Sequence, residues 1–309
     1  MTRILAVGSS NVDLVARVKR PPAPGESLVG RSFRMVCGGK GANQAVAAAR
    51  LGAATRFIGC VGDDLFGQMQ QDALREEGID IGALKIHGAE PTGTAIILVD
   101  DSGQNLITVV PSANLGLTPE DVDNAGSAFE DADVVLVQLE IPLATVSRTL
   151  ERARKHNVIS ILDAGPAQPL DRDILSKADV VSPNETEAET ITGIKIQSVD
   201  DANRAALKLQ EMGAVEVVIK LGEGGCFYLG GESLHVPAFH VNAVDTTAAG
   251  DAFTAALALM WNDASKTVQQ KLRFANAAGA LAATVAGAQP SMPANASVRD
   301  FLQNQTSVS

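Results

Sequence analysis

The sequence predicts a three-layer α/β/α fold, with helices on both faces of a mostly parallel sheet and a small β lid beside it. Short apolar runs alternate along the chain with amphipathic runs that end near glycine, and two segments break this alternation. Repeated strand–helix–strand units favour a parallel sheet buried between helices. We therefore expect residues 1–309 to form a single α/β domain.

The elements of the predicted main layer follow from two sequence periods. Strands are predicted at short runs rich in Val, Ile and Leu, and helices where apolar residues recur at helical spacing. In chain order, the predicted elements are strand 4–8, helix 41–51, strand 55–61, helix 66–77, strand 134–139, helix 143–156, strand 158–163, strand 180–182, helix 199–212, strand 215–221 and helix 252–261. Ligands of such sheets bind beyond the carboxyl ends of the strands, so polar residues there are candidate site residues.

Residues 14–37 and 91–110 break the alternation of strands and helices. The first segment holds several prolines and glycines between strand-like pieces, and the second has two strand-like pieces around the turn Asp100–Gly103. We predict that both segments supply strands of the small lid. The same pattern also allows two surface excursions without a function. Beyond Leu302 the chain is polar, and a frayed tail is expected.

Composition and charge narrow the classes of function. The net charge of −11, with no basic run, argues against a nucleic-acid binder, although a local glycine-rich site can still bind an anionic substrate. Three widely spaced cysteines favour reduced thiols and a cytoplasmic protein. No apolar run approaches the roughly 18 residues of a membrane span, and the apolar start of the chain is too short for a signal peptide.

The most informative segment is the turn that precedes the predicted helix 252–261. Three residues with almost no side chain precede an acid in this turn: Ala248, Ala249, Gly250 and then Asp251. Amide groups at a helix start suit an anion, and small residues allow its close approach. The carboxylate of Asp251 could then abstract a proton beside a phosphoryl group. Alternatively, Asp251 caps the helix and Asp245 holds the turn.

A second glycine-rich segment, Gly38–Asn43, precedes the predicted helix 41–51. Gly39 allows close backbone approach to a ligand, Lys40 adds positive charge, and Asn43 offers both a donor and an acceptor. The segment is not a Walker A loop, and no dinucleotide-binding glycine pattern follows the first strand. A simple loop before a helix is an equally good interpretation of this segment alone.

Three further segments carry polar residues next to predicted strand ends. Asn11 and Asp13 could bind neighbouring hydroxyl groups, although an Asx turn explains them in isolation. Asn184 and Glu187 could organise the water molecules of Mg²⁺, although helix-dipole complementation also explains acids at that position. The segment Lys220–Gly225 could bind a ligand or simply form a hairpin.

Taken together, these segments resemble the ribokinase family of carbohydrate kinases over most of the chain. The segments that carry the resemblance, in family order, are Gly8–Asp13, Gly38–Ala45, Gln138–Glu140, Pro183–Glu187, Asp245–Asp251 and Gly287–Ser291. The glycine-rich segments at 38–43 and 248–251 are the specific ones. The resemblance implies an enzyme that uses ATP and Mg²⁺ to phosphorylate a primary hydroxyl group, here the 5-hydroxyl of D-ribose.

The resemblance also implies a role for each candidate residue. It makes Asp251 the catalytic base and the amides of Ala248, Ala249 and Gly250 the anion hole for the transferring phosphoryl group. The implied sugar-binding residues are Asn11, Asp13, Gly39, Lys40, Asn43 and Glu140. The implied ATP-binding residues are Asn184, Lys220, Gly222, Gly225, Gly250 and Asn276, and Glu187 would hold Mg²⁺ through water. The implied residues of an activating K⁺ site are Asp245, Thr247, Ala282, Val285, Gly287 and Ser291.

The resemblance further implies that the lid closes over the sugar and pairs two subunits into a homodimer. Two positions depart from the family pattern: Lys220 stands where relatives often carry Thr, and Asn276 where some carry His. Other functions stay open, namely a kinase for fructose, deoxyribose, pseudouridine or another nucleoside, and a catalytically inactive sugar-binding relative. A dehydrogenase is disfavoured because no dinucleotide fingerprint is present.

Overall fold

A computed structural model describes residues 1–306 of the chain. The strands of the described chain are β1 Arg3–Val7, β2 Asn11–Arg17, β3 Ser32–Gly38, β4 Ala54–Ile58, β5 Cys60–Gly62, β6 Lys85–His87, β7 Gly93–Val99, β8 Asn105–Val110, β9 Val134–Val137, β10 Ile159–Leu162, β11 Val180–Val181, β12 Glu216–Lys220, β13 Cys226–Leu229 and β14 Ser233–Val236. The α-helices are α1 Lys40–Arg50, α2 Leu65–Glu76, α3 Pro119–Asn124, α4 Gly126–Glu130, α5 Leu143–Lys155, α6 Arg172–Leu175, α7 Glu185–Thr192, α8 Val199–Glu211, α9 Ala249–Trp261, α10 Val268–Ala283 and α11 Asn295–Thr306.

The main sheet has the strand order β14-β13-β12-β11-β10-β9-β1-β4. Six neighbouring strands of this sheet pair in parallel, namely β12, β11, β10, β9, β1 and β4. The strands β13 and β14 add an antiparallel edge. The strand β1 shows why this layer is buried on both sides. Leu5 and Val7 join one apolar cluster, and Ile4 and Ala6 join the other, each at most 1% exposed. Burial on both faces explains the continuous apolar runs, and it confirms the predicted three-layer fold.

One predicted strand, residues 55–61, is wrong as a single element. Its first part is β4 of the main sheet, whereas β5 pairs with β6 in a separate two-stranded sheet. Gly59 separates the two strands. A buried apolar run has the same pattern whichever sheet it joins, so periodicity could not locate this break.

The two segments predicted as lid strands form one four-stranded sheet, which we call the small sheet, in the order β3-β2-β7-β8. Its strand β2 begins at Asn11, four residues after β1 ends at Val7. Asn11 and Asp13 are therefore strand residues and do not form an Asx turn. The hairpin between β7 and β8 closes at Asp100–Gly103, where the amide of Gly103 donates to the carbonyl of Asp100 at 3.0 Å.

The C-terminal helix differs from the tail that the sequence predicts. Helix α11 continues from Asn295 to Thr306, past the residue after which fraying was expected. The remainder of that predicted tail, residues 307–309, lies outside the described residues. Within residues 1–306, none of the helices combines the length and the apolarity needed to cross a membrane.

Candidate active site

Five elements of the main layer converge at one edge of the main sheet. The strands β1, β10 and β12 end there, and the helices α1 and α9 begin there. Hydrogen bonds between side chains link α1 to α9, α1 to the end of β10, and the end of β12 to the end of β10. The strand β2 of the small sheet starts beside this edge, immediately after β1. The fold thus brings together most of the polar residues that the sequence singles out.

Asp251 lies in the first turn of α9 with 5% of its surface exposed. The Nδ2 of Asn43 donates to its Oδ2 at 2.9 Å, and the Nε2 of Gln44 donates to its Oδ1 at 3.1 Å. Burial raises the pKa of Asp251 to about 6; the charge of Lys40 opposes this rise, and the charge of Asp163 adds to it. A carboxylate held in this way is ionised at neutral pH and can accept a proton.

The turn before α9 has the geometry of a helix start. Ala248 adopts a left-handed conformation with φ of 59°, and Gly250 is exposed while Asp251 beside it is buried. The amide of Ala249 donates to the carbonyl of Thr246 at 3.2 Å, so a bound anion would share that group. Amides in the first turn have no acceptor inside their own helix, and the amide of Gly250 belongs to this class.

Lys40 is the first residue of α1 and lies near several carboxylates. Desolvation opposes its charge, but four surrounding carboxylates raise the pKa of Lys40 above its ordinary value. These carboxylates belong to Asp251, Asp163, Glu140 and Glu187. Gly39, just before the helix, has φ of 90°, and a Cβ there would lie 2.7 Å from the backbone nitrogen of Asn11. Only glycine fits this contact between α1 and the start of β2.

The predicted sugar-binding residues belong to the start of α1, to β2 and to the segment after β9. Asn11 accepts at Oδ1 from the Nδ2 of Asn114 at 2.7 Å. Burial, together with the charges of Glu140 and Asp251, raises the pKa of Asp13 to about 7. Glu140 accepts hydrogen bonds from the hydroxyl of Ser9 and, at 3.2 Å, from the backbone amide of Lys40.

Asn43 carries an unpaired acceptor in this region. Its Oδ1 is buried and accepts no hydrogen bond among the described residues, whereas its Nδ2 is bound to Asp251. A buried polar atom without a partner carries a free-energy cost that a ligand hydroxyl group could remove.

A cavity of about 510 Å³ extends from Asp251 toward α10. Its volume suits a small-molecule ligand. It is also lined by Phe239 and Phe253, which no motif indicated. Among the residues predicted from the sequence, those that line it are Lys40, Asn184, Glu187, Lys220, Gly222, Gly225, Ala249, Gly250, Asp251 and Asn276.

Two of the predicted nucleotide-site residues also hold the chain in place. The Nδ2 of Asn276 donates to the carbonyl groups of Val236 and Pro237 at 3.1 and 3.2 Å, so this side chain fixes the segment after β14. A Cβ at Gly225 would lie 2.5 Å from the backbone nitrogen of Ala238, so glycine is needed there for the same segment to pack.

Asn184 and Glu187 form a capping box at the start of α7. The Oδ1 of Asn184 accepts from the amide of Glu187 at 2.9 Å, and the Oε2 of Glu187 accepts from the amide of Asn184 at 2.7 Å. A Cβ at Gly165 would contact the Oε1 of Glu187 and lie 2.9 Å from the Nζ of Lys40. The engaged carboxylate suits a metal bound through water better than one bound directly.

The residues of the predicted K⁺ site come together only in part through observed contacts. Asp245 accepts from the amide of Thr247 at 3.0 Å and from the amide of Gly287 at 2.9 Å. The amide of Val285 donates to the carbonyl of Ala282 at 3.1 Å. The hydroxyl of Ser291 donates within its own turn. In residues 1–306, no group of three or more His, Cys, Asp or Glu side chains is placed to hold a metal ion.

Two side chains at the centre of the site were missed as candidates. Gln44 and Asp163 are buried, and the Nε2 of Gln44 donates to the Oδ2 of Asp163 at 2.7 Å. Gln44 follows the glycine-rich segment directly, and Asp163 ends a predicted strand, so position alone could have flagged both. Lys220, predicted without a defined contact, pairs with Asp163 at 2.5 Å.

Comparison with known proteins gives one consistent result. The sequence model of the pfkB family carbohydrate kinases matches residues 1–295. A ribokinase of Haemophilus influenzae is 38% identical over 302 residues, which cover 97% of this chain and 98% of the relative. A deoxyribokinase of Salmonella typhi is 35% identical over 97% of this chain and 98% of its own length. The structure of Arabidopsis thaliana ribokinase complexed with ribose and ATP aligns with a TM-score of 0.92 at 34% identity, covering 98% of this chain and 99% of that one.

Proposed function

The chain belongs to the pfkB family of carbohydrate kinases, and on this basis we propose that it transfers the γ-phosphoryl group of ATP to the 5-hydroxyl group of D-ribose. Relatives named ribokinase match it over nearly its whole length. The observation that carries the proposal is the position of Asp251. This buried carboxylate lines the nucleotide-sized cavity and is held by Asn43, one of the implied sugar-binding residues.

In this function, Asp251 removes the proton of the sugar hydroxyl group as its oxygen attacks phosphorus. The amides at the start of α9 and the ammonium group of Lys40 stabilise the charge on the transferring phosphoryl group. Asn11 and Asp13, with Gly39, Lys40, Asn43 and Glu140, bind the other hydroxyl groups and orient the sugar. The unpaired Oδ1 of Asn43 supports this role.

Mg²⁺ supplies neutralisation of the phosphate charge when it is bound with ATP. Glu187 and Asn184 would hold its hydration shell, which fits a carboxylate already committed to a capping box. The cavity residues Gly222, Gly225 and Asn276 would contact the nucleotide.

An activating K⁺ ion is a further part of the proposal. The acid Asp245 supports it, because its carboxylate ties the turn before α9 to the loop at Gly287. A cation there would hold the anion-binding turn from behind. The residues of this site would be Asp245, Thr247, Ala282, Val285, Gly287 and Ser291. We expect higher turnover in K⁺ than in Na⁺ at equal ionic strength, and a loss of that difference in Asp245→Asn; equal rates in both salts would contradict the site.

The small sheet serves as a lid over the sugar and as the contact surface of a homodimer in this proposal. Its strand β8 is exposed along its whole length, which supports a partner there. Three free, buried cysteines support a reducing, cytoplasmic setting.

The function is tested by measuring ADP release with a panel of ribose, 2-deoxyribose, fructose and pseudouridine. We expect the highest kcat/KM with ribose, and ³¹P NMR should identify the 5-phosphate as the product. The matched control is Asp251→Asn, which should abolish most ADP release with every sugar. A higher kcat/KM with another compound would replace ribose as the substrate, and no release with any compound would contradict a kinase.

A further inference from the structure

An ion pair joins the ends of β12 and β10 beside the proposed site. The Nζ of Lys220, at the end of β12, lies 2.5 Å from the Oδ1 of Asp163, immediately after β10. The Lys220 side chain is 12% exposed and that of Asp163 is 1% exposed. Two charges removed from water to this extent need a close partner, and removal of either partner leaves the other uncompensated.

Hydrogen bonds connect this ion pair to Asp251 through a single amide group. The Nε2 of Gln44 donates both to the Oδ2 of Asp163 at 2.7 Å and to the Oδ1 of Asp251 at 3.1 Å. The Oε1 of Gln44 accepts from the Nε2 of Gln138 at 2.6 Å. This bond fixes which end of the Gln44 amide faces the two acids, because an acceptor oxygen cannot face a carboxylate favourably.

The same arrangement has an electrostatic consequence. Burial favours the protonated form of Asp251, the charge of Lys40 on α1 opposes it, and the charge of Asp163 favours it further. Lys220 carries the opposite charge at contact distance from Asp163. A cation there offsets the field that Asp163 exerts on Asp251.

We propose that Lys220 is a positioning residue, which acts with Asp163 to hold the Gln44 amide on Asp251 and to keep that carboxylate ready to accept a proton. The inference rests on the proposed function, because it assigns Asp251 the role of base.

Another role for Lys220 is contact with the phosphates of ATP. Its side chain lines the cavity, and its Nζ is 4.0 Å from the place that a Cβ of Gly250 would occupy. The two roles predict different results when both charges of the ion pair are removed together.

The experiment compares Lys220→Met, Asp163→Asn and the double variant, and it measures kcat against pH, KM for ATP and the ¹³C titration of the Asp251 carboxyl. Lys220→Met should move the acid limb of kcat to higher pH by about one unit, because an uncompensated Asp163 disfavours the charge of Asp251. Asp163→Asn should move the limb to lower pH, because it removes that charge and leaves a cation. The double variant should return close to the wild-type limb, and at pH values below that limb its kcat should exceed that of Lys220→Met by about tenfold.

A matched control breaks an ion pair elsewhere in the molecule. Lys85→Met removes the 2.8 Å contact to Asp121, and it should lower Tm without moving the titration of Asp251. If Lys220→Met fails to fold, Asp163→Asn and the double variant still report the direction of the shift.

Two results would overturn the inference. One is a titration of Asp251 that stays unchanged in all three variants. The other is a large rise in KM for ATP in Lys220→Met that the double variant retains, because that result assigns Lys220 to the nucleotide. Failure of the proposed function gives a different result, namely a wild type that releases no ADP with any sugar. Failure of the inference alone leaves the wild type active and the titration of Asp251 unshifted in the variants.

Discussion

At the scale of single residues, the carboxylate of Asp251 receives one amide hydrogen bond on each oxygen. This arrangement fixes the direction of the carboxylate without giving it a directly bound cation as a partner, so it keeps its basicity. The neighbouring acids Asp13 and Asp163 oppose its charge, whereas Lys40 favours it. The balance of these charges sets the pH range in which the proposed base can work.

Asp251→Asn tests the base directly. The asparagine side chain has nearly the same shape as that of aspartate and should leave the fold intact, but its amide cannot accept the proton of the sugar hydroxyl group. We expect kcat to fall by about 10²–10⁴-fold, the usual contribution of general-base catalysis. Steady-state kinetics with a thermal melt measures both properties. Asp263→Asn, which changes a partly exposed acid after α9, is the control and should keep wild-type turnover. A similar kcat in Asp251→Asn would contradict the assignment.

The pH dependence of turnover follows from the same acid. Burial raises the pKa of Asp251 to about 6, and only the ionised form accepts a proton. As the pH falls below this value the carboxylate becomes protonated, so kcat should drop about tenfold per pH unit. Initial rates between pH 5 and 8, roughly the span in which such a group titrates, would show the limb. A kcat that stays constant as the pH falls to the ordinary pKa range of an aspartate would contradict a raised pKa in the working enzyme.

The residue scale also shows which part of the site could be predicted. The turn at Asp251 and the glycines before α1 have local sequence signals, and both were found. The hydrogen bonds of Gln44 were not predicted, because their partners are distant in the sequence. Asp163 lies 119 positions from Gln44, and Asp251 lies 207 positions from it. These residues come together because α1 packs against α9 and lies beside the residue that follows β10.

At the scale of elements, the contact between α1 and the end of β1 positions the glycine-rich segment. A Cβ at Gly41 would lie 2.6 Å from the backbone carbon of Gly8 and 2.7 Å from the backbone nitrogen of Ser9. Backbone atoms cannot move aside as a flexible side chain can. Two glycines therefore let the helix approach the strand closely enough for Lys40 and Asn43 to reach the site.

Gly41→Ala tests this close approach. The added methyl group should push α1 away from β1, so we expect lower Tm and a loss of turnover larger than the loss of stability alone would cause. Differential scanning fluorimetry and ADP release measure the two effects. Gly88→Ala is the matched control, since a Cβ there has no heavy atom within 4 Å. Equal behaviour of the two variants would argue against a tight contact.

Elements of the main sheet were predictable because burial on both faces gives continuous apolar runs. The division of residues 55–61 between two sheets was not, since Gly59 interrupts neither the apolar pattern nor the buried state of the run. The start of β2 was placed too late for a related reason. Asn11 and Asp13 are polar residues in a strand, and their burial depends on contacts with distant residues such as Asn114.

At the scale of the whole molecule, the small sheet leaves a large apolar surface uncovered. The strand register places the exposed side chains of Phe33, Met35, Ile96, Leu106 and Val110 on one face of this sheet, each more than 40% exposed. A contiguous apolar surface on a folded protein usually marks an interface. The edge strand β8 also presents backbone groups that a second chain could cover.

Leu106→Lys tests the homodimer through this surface. A lysine buried between two subunits would lose its hydration, so we expect a shift toward monomer in light scattering after size exclusion. Leu65→Lys, which changes a 74% exposed residue at the start of α2, should leave the mass unchanged. A wild type that is monomeric at all concentrations would contradict the homodimer.

The short connection between β1 and β2 has a consequence for the evolution of sugar specificity. Asn11 and Asp13 belong to the small sheet, whereas Asp251 and the turn before it belong to the main layer. Mutation and selection can therefore alter which hydroxyl groups are recognised while the machinery of phosphoryl transfer is inherited unchanged. Proteins that share this core could therefore come to differ in sugar specificity through changes in the small sheet.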